Sequence, residues 1–202
     1  GFDSLAREAG LHGVGFGGVG CTPFPGIRIV EIPGDCAENN ERIVQSLVES
    51  PSIRTVVIAA RWALYAEGGS YPPEQPTRIR LRDSQGSTES AAGNLDVLAR
   101  GLRRMCERLT AAGKTVILVG PVPEIGYDVP ATVARIRLLD RDFRIEPRLA
   151  AFHARQAAVM PMLREAARLP GVSLVLPEQV LCGEDGCGVV KRGEALYFDD
   201  DH

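Results

Sequence analysis

Two short runs, Thr55–Ala60 (TVVIAA) and Thr115–Gly120 (TVILVG), limit the fold more than any other feature of the chain. Each is apolar and largely β-branched, too short for a core helix, and stops at a charge or a glycine, the pattern of a strand buried in a parallel sheet. Gly13–Phe16 and Val172–Leu176 (VSLVL) read the same way. Helical patterns lie between them. Glu38–Glu49 puts Ile43, Val44, Leu47 and Val48 on one face, and Asn94–Ala112 puts Leu95, Leu98, Leu102, Met105 and Leu109 on another. A third helix, from about Pro147 to Leu169, begins with proline, where a missing N–H costs nothing, and Pro161 is expected to kink or split it. Strands alternating with helices predict a three-layer α/β/α sandwich with a mainly parallel sheet. Gly68 to Gly93, with its charged TRIRLRDS, is long for a crossover and predicts a surface excursion or small hairpin. Nothing in 202 residues requires a second core, so residues 1–202 read as a single domain.

The chain opens GFDSLAREAG, where glycine, aspartate, serine and leucine occur in the order of a serine-hydrolase signature interrupted by Phe2. A nucleophilic serine needs a rigid turn between a buried strand and a helix. No apolar strand precedes Ser4. Leu5, Ala6 and Ala9 followed by Gly10 read instead as a short helix, capped by Asp3 or Ser4 and stopped by the glycine.

A net charge of −3, with arginines scattered among acids, argues against nucleic acid as a partner, because phosphate binding needs a concentrated basic face. No apolar run reaches the roughly twenty residues of a membrane span. Five cysteines stand at 21, 36, 106, 182 and 187. Cys21 with Cys36 and Cys182 with Cys187 form two close pairs, the second around the turn-forming Gly-Glu-Asp-Gly, and read as disulfides of an oxidising compartment. A four-cysteine metal site is disfavoured, since the paired two-residue spacings of zinc ribbons are missing. Cys106 falls within a helical pattern and reads as a small buried hydrophobe.

Ligands of parallel α/β folds bind at the carboxyl ends of the strands. There the chain carries GGVGCTPFPG, RWALYAEGG and PVPEIGYDVP. The glycines of GVGFGGVG do not open a helix, so they fail as a dinucleotide fingerprint; at a strand end they let a backbone N–H approach an oxyanion. The ending YFDDDH places Asp199 three residues before His202. A histidine base needs a carboxylate to fix its tautomer, and this spacing supplies one locally. A solvated acidic tail is the plain alternative, and a hard-metal site the weaker one. His12 and His153 carry less, in a turn and on a helix respectively.

The turn CTPFPG, the strand end VVIAARWALY, the segment GPVPEIGYDVP and above all the ending LCGEDGCGVVKRGEALYFDDDH resemble the SGNH/GDSL superfamily. Within it, the chain is similar to the SGNH domain fused to bacterial membrane acyltransferases of the acyltransferase 3 family, which O-acetylate surface polysaccharides. The resemblance implies that Asp199 and His202 are the catalytic Asp-x-x-His pair. It also implies that the nucleophilic serine is carried by a first strand and turn before Gly1, so that the domain is expected to be cropped at both ends and GFDSLAREAG to be the helix after that turn. The oxyanion glycine is one of Gly17, Gly18 and Gly20. Arg61-Trp62 stands where many relatives have asparagine: Arg61 is expected to anchor structure or bind an acyl or sugar oxygen, and Trp62 to stack on a sugar or to pack as a structural tryptophan. The implied activity is acyl transfer, chiefly of acetyl, to a cell-envelope glycan; an esterase of carbohydrates or lipids and a noncatalytic glycan-binding module are the alternatives. A membrane acyltransferase domain as source of the acyl donor, a periplasmic or extracytoplasmic setting, and no cofactor or metal complete the expectation.

Overall fold

The computed structural model describes residues 6–18, 20–71, 79–87, 91–139, 146–184 and 186–199. In chain order these form β1 (Arg28–Ile29), α1 (Cys36–Glu49), β2 (Thr55–Ile58), α2 (Trp62–Glu67), β3 (Leu81–Asp83), β4 (Gly86–Ser87), α3 (Ala91–Ala111), β5 (Thr115–Val119), α4 (Val129–Leu138), α5 (Leu149–Arg155), α6 (Val159–Ala166), β6 (Val172–Val175), α7 (Glu178–Leu181), β7 (Val190–Lys191) and β8 (Glu194–Ala195). Strands β2, β5 and β6 make a parallel sheet in the order β2-β5-β6, with Val56 paired to Val116 and Leu118 to Leu174. The parallel α/β architecture read from the apolar runs is thus present, with helices flanking the sheet.

Burial alternates along β2 and β5. Val56, Ile58, Val116 and Leu118 enter the main core, while Val57 on β2 and Val175 on β6 remain 50% and 51% exposed. Helix α3 is the hub of that core, lying against α1, α2, α6, β3 and β5. Its Gly101 permits a close approach: a Cβ there would stand 2.4 Å from Ile27 Cδ1 and 3.2 Å from Phe24 Cβ, so any larger residue would push Ile27 from its seat on the helix. Asn94, fully buried on α3, accepts from Leu81 N–H at 2.9 Å and donates to Ile79 O at 2.7 Å. It satisfies backbone groups that would otherwise be buried without partners. Strands β3 and β4 form the small hairpin expected between Gly68 and Gly93, and β1, from earlier in the chain, pairs antiparallel with β3.

Two expectations are corrected. Gly13–Phe16 is irregular and exposed rather than a strand, with Val14 at 62% and Phe16 at 53% exposure. Glycines at 13, 15 and 17 raise the entropy cost of ordering it and leave little to pack. The third helix breaks at Gln156–Ala158 and not at Pro161. Pro161 is the third residue of α6, where an N–H has no intrahelical partner to lose, and the Gln156 carbonyl receives the Val159 and Met160 N–H groups instead. At the start of the chain, Leu11 N–H reaches Ala6 O at 2.7 Å around Gly10 at φ +64°, the expected glycine stop. Asp3 and Ser4 lie outside the described residues.

Asp83 gives the fold a pH dependence. Its carboxylate is inaccessible, 3.1 Å from Arg100 and 3.8 Å from Arg104, and accepts the Gln85 N–H at 2.9 Å. Burial pushes its pKa up, but the Arg100 bond, the Gln85 N–H and the charges of Arg100 and Arg104 outweigh burial and leave it lowered. A folded-state pKa below the unfolded one stabilises the fold above the ordinary aspartate value of about 4, and that stability is lost as pH falls below it. Asp83→Asn is therefore expected to cost about 2 kcal/mol at pH 7 and much less at pH 3. Urea unfolding at both pH values checks this; an equal gap at both would mean that the charge of Asp83 contributes nothing.

Candidate active site at the carboxyl ends of the strands

The chain leaves β2 through Ala59-Ala60 and turns at Arg61 into α2. Trp62, the first residue of α2, is 1% exposed. Its indole N–H donates to Val119 O at 2.8 Å, and its ring lies 6.0 Å from that of Phe24. A ring without an accessible face cannot stack on a sugar, so Trp62 is a structural tryptophan that ties α2 to the end of β5. One turn later the Tyr65 hydroxyl donates to Cys21 O at 2.7 Å. Burial raises the Tyr65 pKa against the pull of Arg61, which keeps the phenol protonated and able to donate.

The turn that follows the glycine-rich segment is tied to α1. Cys21 is bridged to Cys36, the first residue of α1, and Asn40 of α1 donates to the carbonyls of Thr22 and Phe24. Among the three oxyanion candidates, Gly20 has φ +71° and a Cβ there would meet Ile32 Cδ1 at 3.1 Å. Gly18 is crowded by Cys21 Sγ at 3.2 Å, and Gly17 faces open space.

Beside Arg61 stands a charge cluster that the sequence pattern did not reveal. The Arg155 guanidinium, at the end of α5, grips Glu124 through a fork, Nε to Oε2 at 2.6 Å and Nη2 to Oε1 at 3.3 Å. It also donates to Glu67 of α2 and, at 2.7 Å, to Gly69 O. Arg155 and Glu124 side chains are 10% and 9% exposed. Burial lowers the Arg155 pKa, but the bonds and charges of Glu124 and Glu67 more than reverse this, so its charge is locked on. Arg61 Nη2 lies 4.0 Å from the same Glu124 carboxylate, and its side chain is 34% exposed. The one signal for Glu124 was an acid directly after a proline in a proline-rich strand end, GPVPEIGYDVP; for Arg155, one arginine among many on a helix, there was none.

The segment after β5 also receives the C-terminus. Ile125, Val129, Val133, Val189 and Tyr197 form a second, smaller core, closed over by β7 and β8. Asp128 caps α4 by accepting Ala131 N–H at 2.7 Å, and Val129 N–H donates to Asp199 O at 3.2 Å. Burial and the neighbouring Tyr127 push the Tyr197 phenol up to about 12, which makes it a packing group and not a base at neutral pH. The Cys182–Cys187 bridge holds the loop before this hairpin, and Cys187 N–H donates to Pro147 O at 3.0 Å. Cys106 is the buried free cysteine among the described residues, its thiol raised to about 11 by burial and by Glu107. Residues 121–129 therefore touch two of the candidate residues: Glu124 reaches Arg61, and Val129 holds the backbone of Asp199. His202 lies outside the described residues, as do Asp200 and Asp201. No group of metal-ligating side chains occurs among the described residues, nor does any described helix have the length and apolarity to cross a membrane.

A parallel sheet flanked by helices, with polar groups gathered at the carboxyl ends of its strands, is the architecture of α/β domains that bind ligands at that edge. The family model described as "SGNH domain (fused to AT3 domains)" matches residues 1–202, and the chain belongs to that family. Among solved structures it is similar to the periplasmic domain of a lipopolysaccharide acetyltransferase of Salmonella ser. Paratyphi A, with TM-score 0.58 and 12% identity, over 100% of this chain and 70% of that one. No curated protein matches.

Proposed function

We propose that this is the SGNH domain of a bacterial acyltransferase that O-acetylates a cell-envelope polysaccharide through a serine acyl-enzyme. The observation that carries this reading is the family match along the whole chain to SGNH domains fused to AT3 domains. The fold shared with the periplasmic domain of a lipopolysaccharide acetyltransferase supports acetyl as the group and the periplasm as the place. Two disulfides fit that oxidising compartment.

The nucleophile is a serine that none of these 202 residues matches. Its oxygen attacks the acyl carbonyl carbon as His202 takes its proton, and Asp199 orients the imidazole. A backbone N–H among Gly17, Gly18 and Gly20 faces the developing oxyanion. Collapse expels the donor's leaving group with the proton from His202 and leaves an acyl serine. His202 then takes the proton of the sugar hydroxyl, the sugar oxygen attacks, and the serine departs with that proton. The acyl donor is delivered by the fused membrane domain.

The test uses the full-length parent protein, incubated with an acetyl donor and a polysaccharide acceptor. Acetyl appearing on the glycan faster than as free acetate is the expected result. Free acetate alone would make the protein an esterase. Neither product, together with no adduct from a fluorophosphonate probe, would leave a noncatalytic glycan-binding module.

A further inference from the structure

We propose that Glu124, clamped by Arg155, is a positioning residue that holds Arg61 for the acyl transfer described above, on which reading the inference rests. Three observations converge on it. Arg61 stands where the chain leaves β2, at the edge where parallel sheets bind ligands, with its side chain 34% exposed. A guanidinium there stabilises negative charge on an acyl or sugar oxygen only if its direction is fixed beforehand. The Glu124 carboxylate on the next strand end, 4.0 Å from Arg61 Nη2, pulls on it as an ion pair.

Glu124 is itself over-determined. Both its oxygens are taken by the Arg155 fork, and Arg155 is anchored in turn by Glu67 and by the Gly69 carbonyl. Glu67 closes the α2 helix that Arg61 opens. The four side chains thus form a ring from Arg61 through Glu124, Arg155 and Glu67 back along α2, with two positive and two negative charges. A structural ion pair would need only Arg155 and one acid. The added approach of Arg61 to a carboxylate already forked by Arg155 is what assigns Glu124 a role at the site.

The experiment compares Glu124→Gln, Arg61→Ala and the double variant in the full-length protein. Circular dichroism melting establishes that each is folded, and Glu124→Asp serves as the conservative partner should Glu124→Gln fail to fold. One readout needs no activity: the rate at which phenylglyoxal modifies Arg61, followed by peptide mass spectrometry. The other is kcat and KM for acetyl transfer. Glu124→Gln should speed Arg61 modification severalfold and lower kcat about tenfold, with KM for the donor little changed, and should have under a twofold effect once Arg61 is alanine. An unchanged modification rate would overturn the proposal, as would a loss of kcat of the same size with and without Arg61. Faster modification of Arg61 with no transfer by the unaltered protein would overturn the acyl-transfer reading, and the proposal with it.

Discussion

His202→Ala is expected to reduce acetyl transfer by about 10⁴-fold while leaving thermal unfolding unchanged. A serine hydroxyl is a weak nucleophile at its own pKa, and the imidazole both accepts its proton and returns one to the leaving group. Without it, only the oxyanion donors and substrate binding still favour the reaction. Asp199→Asn should cost nearly as much, since an amide leaves the imidazole in the wrong tautomer. The Val129 N–H bond is to the backbone carbonyl of Asp199, so the substitution leaves that contact intact and a loss of rate is not a loss of docking. The check is kcat for transfer alongside a melting curve for each variant. Substantial turnover by folded His202→Ala would remove the pair from the mechanism.

Breaking the Cys21–Cys36 bridge, as Cys21→Ser with Cys36→Ser, should lower stability by about 3 kcal/mol, from the freedom returned to a loop of sequence separation 15. For a chain of this length that is a fall in Tm of roughly 10 °C. The separation of 5 between Cys182 and Cys187 makes its loss smaller, about 2 kcal/mol. Activity should separate the two bridges further. Cys21 adjoins Gly20, one of the three oxyanion candidates, and is fixed by both Cys36 and Tyr65, so freeing it should loosen that backbone and lower the proposed transfer activity. Calorimetry and kcat measured with and without reductant test this; an unchanged Tm after full reduction would show that the bridge does not constrain the unfolded chain.

The parallel sheet was legible because TVVIAA, TVILVG and VSLVL are apolar at nearly every position and each is closed by a charge, glycine or proline. The same logic failed at Gly13–Phe16, where apolar residues alternate with glycine: apolarity alone does not make a strand when no side chains remain to pair. Pro161 was read as a break because the helix register was unknown, and a proline in a first turn looks the same in sequence as one in the middle. Of the candidate site, the glycines and Arg61 were marked by unusual residue types at strand ends, and Asp199 by its spacing from His202. Glu124 and Arg155 were not, since they are 31 residues apart and a buried fork has the same composition as two solvated charges. Trp62 was placed correctly at the strand end, but only its burial decided that it packs and does not bind.

The two cores differ greatly in size. Asp199 hangs from the smaller, a cluster of Ile125, Val129, Val133, Val189 and Tyr197 that the main body does not share. Few buried apolar contacts mean a low free energy of local opening, well below that of the whole domain. Heat or mild denaturant would then undock the tail that carries Asp199 while the parallel sheet stays folded. Loss of the transfer activity proposed for Asp199 would then precede unfolding of the sheet, with its onset set by the small core and not by the large one.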